Sequence, residues 1–445
     1  MAPFPGSERR RTWPLLLLWL CAGSAGRASE IELSLQTAGQ GYDVLTGGGD
    51  LLLRRRLSHW FALDARRLFD SERFEFALDF RLDADLEDAA GNPGGRPAML
   101  SRAELKIDAV PDRLAVRLGR LMRFTELGFF RFDGAAATAW PWPALPIEIY
   151  AGFAVRPESL LGDTELVLPD TADDPPCPAL GARAGWAGAG QRLHVEYRRV
   201  AAWHDRWPLE EERLAANGSL RLGEGRLGLD AGAAYNLLLD GFDRLRADAF
   251  GAFRLGGLRL RAEAGALYLR PFFSLDSIFN FFSPDPLAEV HGGLSLESPD
   301  GAMARLRFRQ RWYLGAAPDG GATAVTGIEA EGGLPLGRKG AASAYATVED
   351  GAGGARYLAW LSFQGRLGEA WRLEARALLS RFSDAVQPRQ HALGGGGGVG
   401  ATWIFAPDHA LHLLLEANGN RLTPFSGRAL IVLDLQFHFE GGPRR

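Results

Sequence analysis

Lysine is nearly missing from this sequence: all but two of its 50 basic residues, Lys106 and Lys339, are arginine. Cysteine is confined to Cys21 and Cys177, which excludes a disulfide framework. Long apolar runs are absent too. With a mean hydropathy of −0.09 and 23% charged residues, the chain cannot be a helical membrane bundle, which needs repeated runs of ~20 apolar residues. There is no basic excess, the formal charge being −4, so no nucleic-acid partner is expected. What is present in quantity is apolar and aromatic: 47% hydrophobic and 10% aromatic residues are far too many for wholesale disorder.

Residues 1–28 read as an export signal. Arg9, Arg10 and Arg11 precede the short apolar stretch Trp13 to Cys21, and small residues lead on to Ala28 as a cleavage point. That stretch is too short for a spanning helix. Cleavage leaves one cysteine, Cys177, and so an exported chain without disulfides.

From there the chain alternates with period two. Phe74, Phe76, Leu78, Phe80, Leu82, Ala84 and Leu86 take the even positions, against Arg73, Glu75, Asp79, Arg81, Asp83 and Asp85 on the odd ones. Successive side chains of a strand point to opposite faces, so such a segment has one apolar and one charged wall. The pattern returns at 102–109, 113–118, 192–197, 258–268, 302–312, 371–379 and 431–439. Short turns such as Gly223-Glu-Gly225, Ser298–Gly301 and Ala406-Pro-Asp408 alternate with long links at 87–99, 124–145, 204–211, 270–286, 315–322, 382–391 and 418–427. Turns on one rim and loops on the other describe an antiparallel up-and-down meander. Segment 124–178 breaks the rhythm: either a second strand lies near Leu160–Leu168 or one piece folds inward.

A soluble secreted β-protein would also alternate, but its facing sheets would bury apolar faces rather than carry ladders of charge from strand to strand. Aromatics gather near strand ends (Trp60-Phe61, Trp140, Trp142, Trp203, Trp207, Phe272-Phe273, Trp312-Tyr313, Trp403, Phe405), as bilayer interfaces require. The expected fold is therefore all-β: a transmembrane antiparallel up-and-down barrel of about 18–20 strands, bounded by 16 and 22, at ~20 residues per strand and link. The domain plan is a signal peptide at 1–28, a short N-terminal segment at 29–50, the barrel at 51–440 and a tail at 441–445.

The export signal, the alternation throughout and the final Phe437-His-Phe439 together resemble Gram-negative outer-membrane β-barrels of the porin type. Arg117-Leu-Gly-Arg120 leading to Gly128–Phe132 and Asp133-Gly134 is similar to a strand and loop of several porin-like families. The resemblance implies the bacterial outer membrane after signal cleavage, lipid as surroundings, small hydrophilic solutes as cargo, and leaves room for homo-oligomers.

Catalytic chemistry is not legible. The eight histidines are scattered, His409 and His412 fall on opposite faces of a strand, and no nucleophile elbow accompanies His291-Gly-Gly-Leu294. No enzyme, cofactor or metal is expected. The run Gly394–Gly398 lacks the helix and lysine of a phosphate loop and reads as a strand where small side chains leave room. The informative chemistry is the charged face. Its lumen and selectivity candidates are Asp79, Arg117, Arg259, Arg261, Glu263, Arg305, Arg307, Arg309, Arg311 and Glu374. Rings of both signs across a wet pore set ion preference, or else only solvate and brace the wall. Glu289, Glu297, Glu329 and Glu331 are the natural partners of the four-arginine ladder, with partial pairing expected. A passive channel leads, and a closed structural or receptor barrel plugged by an inserted loop is the alternative, with 270–286 as the candidate plug. Residues 29–50 are too few for a plug domain of their own.

Overall fold

The computed structural model describes residues 28–45, 49, 51–69, 71–85, 98–155, 177–201, 209–270, 286–315, 322–351, 354–384, 391–421 and 423–440. The leader, most of 270–286, the Leu160–Leu168 stretch and the 441–445 tail lie outside them. The described residues form 22 strands. The first eleven are β1 Ala28–Leu45, β2 Leu51–Leu68, β3 Phe74–Asp85, β4 Ala98–Val110, β5 Leu114–Thr125, β6 Gly128–Trp142, β7 Leu145–Ala154, β8 Cys177–Gly188, β9 Gln191–Ala201, β10 Leu209–Leu222 and β11 Leu227–Asn236. The remainder are β12 Gly241–Leu255, β13 Leu258–Leu269, β14 Leu287–Glu297, β15 Met303–Leu314, β16 Ala322–Leu336, β17 Gly340–Gly351, β18 Gly354–Leu367, β19 Trp371–Asp384, β20 His391–Ala406, β21 His409–Gly419 and β22 Phe425–Glu440. Each pairs antiparallel with the next, and β22 returns to β1 through Ile31↔Phe439 and Leu35↔Leu435, closing the sheet. Closure removes both edges and satisfies the backbone without water.

The expected boundaries are corrected and the strand count is fixed within its expected range. Residues 28–45 are no separate segment but the closing strand β1, so the barrel spans 28–440 rather than 51–440. The count is 22, at the upper bound and above the favoured 18–20, because turns of two to five residues on one rim shorten each repeat. Segment 124–145 is also no long link: β6 occupies it, joined by tight turns to β5 and β7.

Register fixes what each side chain faces. Leu294, Leu306, Phe308, Ile328, Leu361, Val399, Leu415 and Ile431 all point outward and are 46–62% exposed. Such a continuous apolar surface is untenable in water and belongs against hydrocarbon. At the rim with short turns, which also holds both ends of the barrel, rings run in contact across β19–β22. Trp371 stacks on Trp403 at 6.1 Å, and Phe405, His409, Phe437 and Phe439 follow at 5.0–6.3 Å. Phe153, Phe242, Tyr357 and Phe425 mark the other rim. Two aromatic bands flanking an apolar belt identify a membrane-spanning barrel. Trp60 does not join them: it faces the lumen, with Arg81 over its ring at 4.9 Å.

Candidate functional site: a charged lumen narrowed by a docked hairpin

Segment 124–178 does fold inward in part. β5 pairs with β4 only as far as Ala103↔Arg120, and β6 pairs with β7 only from Phe132↔Ala154 downward. Between those points, residues 121–130 form a hairpin whose strand pairing, among the described residues, is with itself alone, turning at Glu126 and Leu127. The Arg131 carbonyl already accepts from the Val155 amide at 2.8 Å. The departure occurs at Gly119, whose φ of 113° is closed to other residues and whose Cβ would overlap the Ala103 carbonyl.

One face of this hairpin packs on the inner wall. Leu121, Phe130 and Phe132 are buried with Tyr150, Cys177, Ala179 and Val200 of β7–β9. Tyr150 reaches them because Gly181 leaves its ring room on the neighbouring strand. Arg123 stacks over Tyr150 at 5.0 Å and pairs with Glu148 at 2.9 Å. The tip is held more tightly still. The Leu127 carbonyl accepts from Arg198 (2.8 Å) and Arg213 (3.1 Å), while its side chain is buried against Ala215 and Ala234. Glu126 receives Arg244 at 3.3 Å, Arg246 at 3.4 Å and the Asn217 amide at 3.2 Å. Four arginines from β9, β10 and β12 thus clamp a turn that lies 71–120 residues earlier in the chain.

On the opposite face Phe124 and Phe129 are exposed and Arg131, across from Met122, is buried. Met122 borders a polar cavity of 370 Å³ whose walls are Asp64, Arg66, Glu75, Arg102, Glu104, Lys106 and Arg117 of β2–β5. Lys106 pairs with Glu75 at 3.1 Å, Arg102 with Glu104 at 3.2 Å, and Arg117 with Glu104 at 3.5 Å. Asp79 lies 3.9 Å from Arg102, so Asp79 and Arg117 belong to this cluster.

The remaining candidates lie round the wall. Arg305 (2.5 Å) and Arg307 (3.6 Å) share Glu263. Arg309 pairs with Glu329 and, at 3.6 Å, with Glu349; Arg311 takes Glu289 at 2.7 Å and Glu349 at 3.1 Å. The expected partial pairing is corrected: every arginine of the ladder has a carboxylate. Glu289 and Glu329 are partners as expected, but Glu263 and Glu349 join them, and Glu297 serves Arg259 at 3.8 Å. Arg261 lies over the Phe250 ring at 4.0 Å. Glu374 stands apart on β19, lying across Gly400.

A common device underlies these pairs. In one register row Glu263, Gly293 and Arg307 follow one another on β13, β14 and β15, so the pair closes over a strand that presents no side chain. Asp248–Gly265–His291, Arg309–Gly327–Glu349 and Arg376–Gly398–Glu416 repeat it. Glycine in the middle strand lets polar side chains two strands apart meet, and three of these four rows are arginine–glutamate pairs.

No protein-family model and no curated protein matches the chain. Solved structures do. A siderophore receptor, PirA from Pseudomonas aeruginosa, aligns over 91% of this chain and 80% of its own, with 13% identity and a TM-score of 0.56. OccAB4 from Acinetobacter baumannii aligns over 92% of this chain and 98% of its own at 7% identity, with a TM-score of 0.46. A BenF-like porin from Pseudomonas fluorescens does so over the same shares at 11% identity and 0.46. At these identities the likeness is one of fold: a large closed antiparallel barrel.

Proposed function

We propose that this protein is an outer-membrane channel through which small hydrophilic solutes diffuse passively. The observation that carries the reading is one-sided docking: the hairpin seals against β7–β12 while its other face borders the polar cavity along β2–β5. Paired charges line that cavity and much of the wall, so a hydrated solute meets donors and acceptors along the path. In this reading Asp79, Arg117, Arg259, Arg261, Glu263, Arg305, Arg307, Arg309, Arg311 and Glu374 both brace the wall and tune selectivity. Liposomes containing the purified chain should swell in isotonic solutions of small neutral solutes, and more slowly as solute size increases. Swelling no faster than in empty liposomes would refute the reading.

A second reading draws on the likeness to the siderophore receptor: a receptor barrel closed to diffusion. It predicts a folded protein that binds a ligand without admitting solutes, which the same liposomes would reveal.

A further inference from the structure

The lumen wall over β17–β20 differs from the ionic rows beside it. One register row runs Tyr345, Trp360, Leu378, Gly396 and Asn418 from β17 to β21: two aromatic rings, a leucine, a glycine and an amide. Tyr345 and Trp360 lie nearly parallel, 6.0 Å between centroids and 22° between planes. Both are half-buried, and Leu378 is 38% exposed. Among the described residues no packed core receives these lumen-facing surfaces, and exposing them to water forfeits the free energy that burial would supply.

Beside the rings lies a polar bed. β20 presents only glycine to the lumen at 394, 396, 398 and 400, and side chains from both neighbouring strands lie flat across it. Ser380 approaches Gly394, Asn418 covers Gly396 so closely that a Cβ there would overlap its Oδ1, and the paired Arg376 and Glu416 cross Gly398. Ser343 and Ser362, 2.6 Å apart, adjoin the rings. Apart from Glu331 beside Tyr345 and Glu374 over Gly400, the polar groups of the patch are neutral or mutually paired, so an anionic ligand finds little unopposed positive charge. An aromatic platform edged by amide, hydroxyl and in-plane charged groups suits a neutral polyhydroxylated ring, with its C–H face on the aromatics and its hydroxyls on the bed.

We propose that this patch is a saccharide-binding subsite of the lumen, centred on Trp360 and Tyr345 and completed by Asn418, Arg376 and Glu416. It rests on the channel reading for its role in transport, but binding itself needs no conductance. The test is calorimetric titration of the purified full chain with glucose and with maltotriose, alongside ion-current recording as maltotriose is added. The expected result is saturable maltotriose binding, with current interruptions over the same concentrations. Trp360→Ala should weaken binding about tenfold, the worth of one aromatic contact, while Trp360→Phe retains most of it. Heat-modifiable gel migration establishes that each variant is folded. A folded wild-type barrel that binds neither sugar overturns the proposal, and so does binding that Trp360→Ala leaves unchanged. Binding of indole or benzoate in place of the sugars overturns it in favour of an aromatic solute. Maltotriose binding that depends on Trp360 in a barrel that never conducts supports the subsite while refuting the channel.

Discussion

Releasing the hairpin tip should widen the conducting path, and the contacts indicate what release requires. Glu126 is 15% exposed and faces Arg244 and Arg246, which are 32% and 36% exposed. Removing one partner of a fully buried pair costs 3–5 kcal/mol, but these arginines can turn toward lumen water, so Glu126→Gln should cost about 1–2 kcal/mol. Leu127 is 3% exposed, and truncating it to alanine should cost about 2–4 kcal/mol in lost transfer energy and cavity. The single variants leave the carbonyl clamp of Arg198 and Arg213 intact and should conduct nearly as the wild type does. The double variant removes about 3–6 kcal/mol from the tip, enough to shift its docking equilibrium a hundredfold or more. Phe130 and Phe132 still hold the root. Single-channel recording in planar bilayers should then show larger and noisier conductance for Glu126→Gln/Leu127→Ala. Wild-type conductance and noise in a folded double variant would show that the hairpin does not narrow the path.

Changing Arg307 and Arg309 together to Gln leaves Glu263, Glu329 and Glu349 short of positive partners, so the reversal potential in a salt gradient should move toward cation preference. At ~4 Å in water each uncovered charge is worth about 1 kcal/mol, roughly a fivefold effect before salt screening, and an unmoved potential would assign the ladder to structure alone. Gly181→Val should expel the Tyr150 ring from its seat, lowering the urea midpoint of unfolding by the equivalent of about 1–3 kcal/mol; an unchanged midpoint would contradict the packing described. On whole cells, an impermeant thiol reagent should label Leu238→Cys, on the rim with long links. It should spare Pro299→Cys and Asp408→Cys on the opposite rim, and the reverse pattern would invert the topology.

Much of the wall was legible because lipid on one side and water on the other impose period two. That pattern marks β3, β13, β15, β19 and β22 plainly, and the return of 431–439 to the first strand follows from closure. β1 escaped because its alternation fades: Ile31, Leu33 and Leu35 are regular, but Thr37-Ala-Gly-Gln-Gly41 has too little contrast to read. The inward hairpin was visible only as a break in rhythm. Its tip is anchored by ion pairs and carbonyl bonds to residues more than seventy positions away, and no local pattern encodes them. The ladder was found on sequence, but half its partners were not. Glu263 and Glu349 lie two strands from the arginines they meet, and the Gly293 and Gly327 that allow it acquire meaning only with the register. Gly394–Gly398 was recognised as roomy, while the side chains that fill the room come from β19 and β21.

The proposed channel requires an open path beside the docked hairpin, and single-channel recording of the purified full chain in a planar bilayer tests for it. Steady open steps at low voltage, scaling with salt concentration, are the predicted result. A barrel that migrates as folded and inserts, yet stays silent, would contradict it.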